Sequence, residues 1–369
     1  MKNQKTSIGK KLLVVLSLLI CFYAAAEQLF ATDHRPLLME TAGFAPEDSP
    51  GDSPGDSPKA QKLARSQGFE TSGKSETAEE ILPFLEEDEI VAFYGESLPQ
   101  TEASPDPNRT ALPVEELTLT DGTRVGDFYV KDTSAAGLDL NEVLTRSPGF
   151  RLEGNGEVEV LLYHTHTTEA YLPDYTGFYY TDMETRTQNQ TQSVVAVGEA
   201  VKRRLEQAGI GVVHDTTVND SMYSGSYARS WELLERNLEA YPGIKVTIDI
   251  HRDSMTNAEG VKYKPTAEVG GRKAAQLMIL TGCDANGEWG DFPDWAENLT
   301  FALRVQQKLT QTAPTLVRPL NFGDHKYNMN ATTGSLLVEV GTEVNTVAEA
   351  TYSGELLGDA LAELFETPW

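Results

Sequence analysis

The sequence predicts an α/β fold: a three-layer α/β/α domain over a largely parallel or mixed sheet. Three observations carry that expectation. Short apolar runs of strand length recur at 158–163, 211–213, 246–250, 275–280 and 336–340. Stretches of helix length lie between them, one with Val194, Val197, Val201 and Leu205 spaced for a single helix face. Strands separated by helix-length crossovers pair in parallel, with helices covering the sheet. At 369 residues the chain has ample length to bury such a core.

In chain order, Lys2, Lys5, Lys10 and Lys11 precede an apolar run that begins at Leu12 and, after Glu27, resumes through Leu29-Phe30-Ala31. About 20 apolar residues are enough to cross a hydrocarbon layer of roughly 30 Å. Residues 1–11 are therefore expected in the cytoplasm, 12–31 as an uncleaved signal-anchor, and the remainder outside. Residues 32–111 read as a flexible acidic linker. Its Asp48-Ser49-Pro50-Gly51-Asp52-Ser53-Pro54-Gly55-Asp56-Ser57-Pro58 repeat holds too little apolar surface to offset the entropy of ordering.

Residues 112–153 are expected to form a lead-in subdomain, with a strand-like Phe128-Tyr129-Val130 and a helical piece at 138–144. From 154 to 369 the strand–helix alternation defines the main domain. Gly209 suits the residue just past the first long helix, and a further helix is expected near 231–238. Asp294 stands where it can cap the helix carrying Leu299, Ala302, Leu303, Gln306 and Leu309, and Thr346 and Glu349 have capping-box spacing before the last helix.

A net charge of −26 excludes a nucleic-acid binder, which needs a surplus of Lys and Arg facing phosphate. The only cysteines are Cys21, inside the apolar leader, and Cys283. They support neither a disulfide framework nor a thiolate-rich metal site.

Chemistry concentrates at the strand ends. Two of the six histidines stand in His164-Thr165-His166-Thr167-Thr168-Glu169, directly after Leu161-Leu162-Tyr163, and His251 ends the run 246–250. In open α/β sheets, sites form at the carboxyl ends of strands. Imidazoles and a carboxylate gathered there suit zinc, which keeps one position open, lowers the pKa of bound water to roughly 7 and polarises a carbonyl. His166, Glu169 and His251 form the candidate metal set. Glu339, an acid between Val338 and Val340, is the candidate general base and acid. His164 either joins the ligands as a His-x-His pair or supports them by a hydrogen bond or by packing. His214 reads as a structural neighbour of Asp215, His325 as a loop residue, and Arg252 either pairs with Asp253 or docks a substrate carboxylate.

These residues fall within four motifs: His164-Thr165-His166-Thr167-Thr168-Glu169-Ala170-Tyr171, Ser224-Gly225-Ser226-Tyr227-Ala228-Arg229-Ser230, Asp249-Ile250-His251-Arg252-Asp253-Ser254 and Glu339-Val340-Gly341-Thr342-Glu343-Val344-Asn345. Together they resemble the stage II sporulation protein P family, from roughly Gly126 to the C-terminus. The resemblance implies a single-pass cell-membrane protein facing the intermembrane space of a sporulating cell. It implies a Zn2+-dependent N-acetylmuramoyl-L-alanine amidase, which cuts peptidoglycan between N-acetylmuramic acid and the L-alanine of the stem peptide during engulfment. Stage II sporulation protein D and other engulfment membrane proteins are the implied partners. Tyr227, Arg229, Arg252 and Asn345 become expected substrate-binding positions.

In the wider group of zinc amidases that this family is similar to, His166, His251 and Glu339 match the two histidine ligands and the catalytic acid. The helix-borne glutamate ligand of that group falls near Gln190, an amide poorly suited to zinc. Glu169 is the natural substitute, with Glu184 and Glu199 as alternatives. Two rival readings use the same residues. One is a zinc carboxypeptidase or peptide amidase that grips a substrate carboxylate with Arg252, and the other is a wall-binding adaptor with no activity.

Overall fold

The computed structural model describes residues 104–366. The expected cytoplasmic terminus, anchor and nearly all of the linker lie outside the described residues. Among those described, no helix is long and apolar enough to cross a membrane.

The described residues form two sheets. The elements in order are β1 (Ala111–Leu117), β2 (Thr123–Val125), β3 (Phe128–Asp132), α1 (Leu140–Val143), β4 (Val158–Tyr163), β5 (Phe178–Tyr180), α2 (Val194–Gln207), β6 (Gly211–His214) and α3 (Ser226–Ala240). They continue with β7 (Val246–Asp253), β8 (Lys262–Val269), β9 (Arg272–Ala275), β10 (Leu277–Gly282), α4 (Trp295–Thr312), β11 (Leu320–Gly323), β12 (Gly334–Thr342) and α5 (Val347–Glu366). The main sheet has eight strands in the order β2-β3-β11-β10-β12-β7-β4-β6, and a second sheet has four in the order β5-β1-β8-β9.

In the main sheet, β4 pairs in parallel with β6 and β7, β7 with β12, and β11 with β3 and β10. Only β2 with β3 and β10 with β12 run antiparallel. The central strands are buried along almost their whole length, which is why they read as near-continuous apolar runs. Alternate residues of β4 serve opposite faces. Val160 and Leu162 pack with Val194, Val197, Val201, Leu205 and Leu357 of α2 and α5, whereas Leu161 and Tyr163 pack with Leu233 and Leu234 of α3. Helices therefore cover the sheet on both sides, and β4, β7 and β12 deliver their carboxyl ends side by side.

The capping signals act as expected at two of three helix ends. Glu349 Oε2 accepts from the Thr346 amide at 3.0 Å and the Glu349 amide donates to Thr346 Oγ1 at 3.2 Å, a complete capping box for α5. Gly209 follows α2 with φ of 79°, the left-handed turn that glycine adopts without steric cost. Asp294 occupies the cap position of α4, but its side chain makes no capping bond. α5 crosses α2 closely, since a Cβ on Gly354 would stand 2.8 Å from the Val197 carbonyl oxygen and one on Gly358 would stand 2.6 Å from Arg204 Cβ.

Two sequence expectations are corrected. The run 275–280 is not one strand. It breaks at Gln276, whose buried amide accepts from the Leu119 N–H at 2.8 Å and donates to the Thr315 carbonyl at 2.8 Å while the chain passes from β9 in one sheet to β10 in the other. The lead-in stretch 112–153 does not stand apart either. It gives β1 to the small sheet and β2 and β3 to the main one, because β3 finds its parallel partner in β11, far along the chain.

Candidate metal and catalytic site

β4 ends at Tyr163, and residues 164–168 turn back on themselves instead of extending the strand. His164 and His166 therefore do not share a strand face. Threonines hold the turn. The Thr165 amide donates to Asp249 Oδ1 at 2.8 Å and its hydroxyl to Oδ2 at 2.6 Å, while Thr168 Oγ1 donates to Asp220 Oδ2 at 2.6 Å. This brings His166 and Glu169 over the end of β7, where Asp249, His251 and Asp253 share one face by the two-residue period of the strand.

There the predicted groups meet. The His166 and His251 rings lie edge to face with centroids 5.2 Å apart. His251 Nδ1 is 3.7 Å from Glu169 Oε2, and its Nε2 is 3.0 Å from Asp249 Oδ1, close but not aligned as a hydrogen bond. Glu169 Oε2 accepts from the Arg252 amide at 3.0 Å. Glu339, on β12, is the register partner of His251 across the parallel β7–β12 pair. All four side chains are buried.

Burial and the surrounding charges set their protonation. Burial, reinforced by His251 and three arginines, pushes His166 down to about 2 and keeps that ring neutral. His251 behaves oppositely. Burial disfavours its cation, but the carboxylates of Asp249, Glu169 and Glu339 outweigh that and raise it to about 10. Glu339 is raised to about 8, chiefly by burial, against the favourable charge of His251 and with the carboxylates of Asp253 and Glu169 adding to the rise. Glu169 is raised by burial as well.

The donor set has the chemistry of a metal site: a neutral imidazole, a second imidazole and a carboxylate, with another carboxylate beside them. Buried His166 Nδ1, His251 Nε2 and Glu339 Oε2 have no hydrogen-bond partner. Each such orphan costs about 1–3 kcal/mol unless an arriving group satisfies it. As the side chains stand, no three His, Cys, Asp or Glu groups among the described residues converge on a point where a metal ion fits. His251 sits between Glu169 and Asp249, whose carboxylates favour its charged form.

His164 turns away from this set. Its Nδ1 lies 2.9 Å from the Ile250 carbonyl oxygen, which can only accept, so that nitrogen carries the proton. Its Nε2 then accepts from His214 Nε2 at 2.8 Å, and His214 Nδ1 faces Glu199 Oε2 at 3.3 Å. His164 thus fixes the backbone immediately before His251 and links it to β6. His214, read from the sequence as a partner of Asp215, belongs to this link. Glu199 serves it too, and the exposed Glu184 and Gln190 are not among the groups around His251. Glu169 is the candidate second ligand that does lie beside it.

Three expected substrate-binding side chains are engaged by the protein itself. Arg252 donates to the carbonyls of Ala170, Thr185 and Asp253. Arg229 donates to the carbonyls of Asn219, Met222 and Ser224, tying down the loop before α3. Asn345 accepts from the Thr342 amide and donates to Pro265 and Glu349, closing the turn after β12. All three side chains are thus occupied by groups of the protein itself. Tyr227 differs: its ring meets His166 edge-on at 5.9 Å and its buried hydroxyl has no partner.

Sequence reasoning passed over Asp249, Tyr223, Arg186 and Asp220. Tyr223 stacks on His166 with centroids 4.9 Å apart and planes 6° from parallel. Arg186 lies over the Tyr223 ring and forms an ion pair with buried Asp220. Asp249 carried the same signal as Glu339, an acid inside an apolar strand. The Tyr223 loop carried none, since only the fold brings it to β4.

Residues 75–362 match the family model described as Stage II sporulation protein P. The chain belongs to the stage II sporulation protein P family. A curated member, stage II sporulation protein P of Bacillus subtilis (strain 168), is 27% identical over 232 residues, covering 60% of this chain and 54% of the relative. The chain thus spans about half the length of that relative. Among solved structures, an N-acetylmuramoyl-L-alanine amidase of Nostoc punctiforme is 14% identical, covers 57% of this chain and 95% of its own, and has a TM-score of 0.30. An amidase of Clostridioides difficile, solved in complex with a lipoprotein, is 11% identical, covers 56% of this chain and 98% of its own, and has a TM-score of 0.34.

Proposed function

We propose that this chain is a peptidoglycan hydrolase of the sporulating cell, cleaving the amide between N-acetylmuramic acid and the L-alanine of the stem peptide. The observation that carries the reading is the buried meeting of His166, Glu169 and His251 at the ends of β4 and β7 with Glu339 on the adjoining strand. His166, Glu169 and His251 would hold Zn2+, which when bound supplies the positive charge that polarises the scissile carbonyl and acidifies water. Glu339 takes the proton from the attacking water at its unpartnered Oε2 and returns it to the departing amine of L-alanine, a role worth about 10²–10⁴-fold in rate. Asp249 Oδ1, 3.0 Å from His251 Nε2, places a negative charge beside that imidazole.

The carboxypeptidase alternative loses its main support, because the Arg252 guanidinium that would grip a free carboxylate is held by three carbonyl groups. Residues 12–31 would hold the protein in the membrane, with 104–366 on the far side of it. Digestion of purified cell wall by the full chain tests the proposal. Release of stem peptides with L-alanine at the N-terminus supports it, whereas shortened peptides still attached to sugar would sink it.

A further inference from the structure

We propose that the Tyr227 hydroxyl is a catalytic residue, the donor that receives the negative charge developing on the scissile carbonyl oxygen. The inference rests on the amide-hydrolysis reading above and assigns a residue for which that reading has no role. Tyr227 is 8% exposed, and its Oη is buried without any hydrogen-bond partner. A buried hydroxyl is one of the easiest groups to satisfy, because it rotates and both donates and accepts. Leaving it unpaired in a buried setting is destabilising.

The surroundings hold the ring in place. The Tyr227 carbonyl accepts from Asn328 Nδ2 at 2.9 Å and from Ser230 Oγ at 3.1 Å, fixing the first turn of α3. Tyr327 stacks on the Tyr227 ring with centroids 5.5 Å apart. Tyr327 and Asn328 are consecutive and have φ of 42° and 57°, the only non-glycine residues with positive φ among those described. Such backbone is unfavourable for residues with a side chain and persists where surrounding contacts enforce it. Here it brings one side chain onto the Tyr227 ring and the other onto its carbonyl. The Tyr227 and His166 ring centroids lie 5.9 Å apart with the planes 81° from parallel, and the hydroxyl bonds to none of the groups around it.

A donor held ready but unpaired in the resting protein gains its bond when charge appears, and that difference is what accelerates a reaction. Water oxygen bonds to the carbonyl carbon as the C=O π pair moves onto oxygen. The Tyr227 O–H donates a hydrogen bond to that oxygen and keeps its proton. One water proton passes through Glu339 to the nitrogen, the pair on oxygen re-forms C=O as the C–N bond breaks, and the second water proton follows to the amine, leaving the lactyl carboxylate on the sugar and the protonated amine of the peptide.

The test is Tyr227→Phe in the full chain, which keeps the ring and removes only the oxygen. On soluble wall fragments kcat is expected to fall about 10²-fold with KM within about threefold, the size typical for losing one oxyanion donor. Melting of the metal-free protein is expected at the same temperature or higher, since the variant buries no unsatisfied oxygen. Unchanged kcat, raised KM with kcat intact, or a lower melting temperature would each overturn the assignment. A wild-type chain that releases no peptide with N-terminal L-alanine would instead sink the amidase reading, and this inference with it.

Discussion

Glu339→Gln separates the electrostatics of the site from its chemistry, because glutamine mimics the protonated acid in shape and charge. Glu339 is lifted from its ordinary 4.5 to about 8, mainly by burial. The unfolded chain gives up this proton above about pH 4.5, while the folded metal-free protein keeps it until about pH 8. Between these values the folded state binds more protons, so stability falls as pH rises. At about 1.4 kcal/mol per pH unit, a displacement of this size corresponds to several kcal/mol lost across the window. His251, raised to about 10, adds a decline in the same direction between about pH 6.5 and 10. Chelator-treated wild type and Glu339→Gln should therefore melt alike near pH 4.5, with the variant increasingly more stable up to pH 8 and only the His251 slope left beyond. On wall fragments, the variant with metal supplied should retain its metal but lose about 10²–10⁴-fold in turnover. Parallel melting curves for the two proteins from pH 4.5 to 8 would refute the buried, raised carboxyl, and near-normal turnover would refute its catalytic role.

Other predictions follow from the same geometry. His166→Ala, His251→Ala and Glu169→Ala should each lose bound zinc by elemental analysis while Gln190→Ala keeps it; metal retained in Glu169→Ala would move the second ligand elsewhere. Arg229→Ala removes the donor that three loop carbonyls share, and faster proteolysis at residues 219–224 is expected with about 1–3 kcal/mol lost in denaturant unfolding; an unaltered cleavage rate would show the loop is held by other contacts. Gly354→Ala forces a methyl to 2.8 Å from the Val197 carbonyl oxygen and should cost about 1–3 kcal/mol, read as a lower melting temperature. No change there would mean that α2 and α5 separate freely.

Much of this protein is legible from its sequence because the information is local. Continuous apolar runs mark β4, β7 and β12, since strands buried on both faces need no alternation. Thr346 and Glu349 mark the start of α5, because a capping box is made between neighbours three residues apart. His166, His251 and Glu339 stand out because acids and imidazoles at the ends of buried strands are costly unless used. What the tertiary structure decided depends on pairs distant in the chain. Gln276 looks like strand interior until Leu119 and Thr315 take up its amide. Arg252 and Arg229 look free to meet a substrate until the loop carbonyls that occupy them are in view. Tyr223 reaches His166, and Tyr327 reaches Tyr227, only once α3 and the β11–β12 connection fold onto the end of β4. A side chain's type and spacing are written along the chain, whereas whether its hydrogen-bonding capacity is already filled depends on which distant backbone groups folding brings to it.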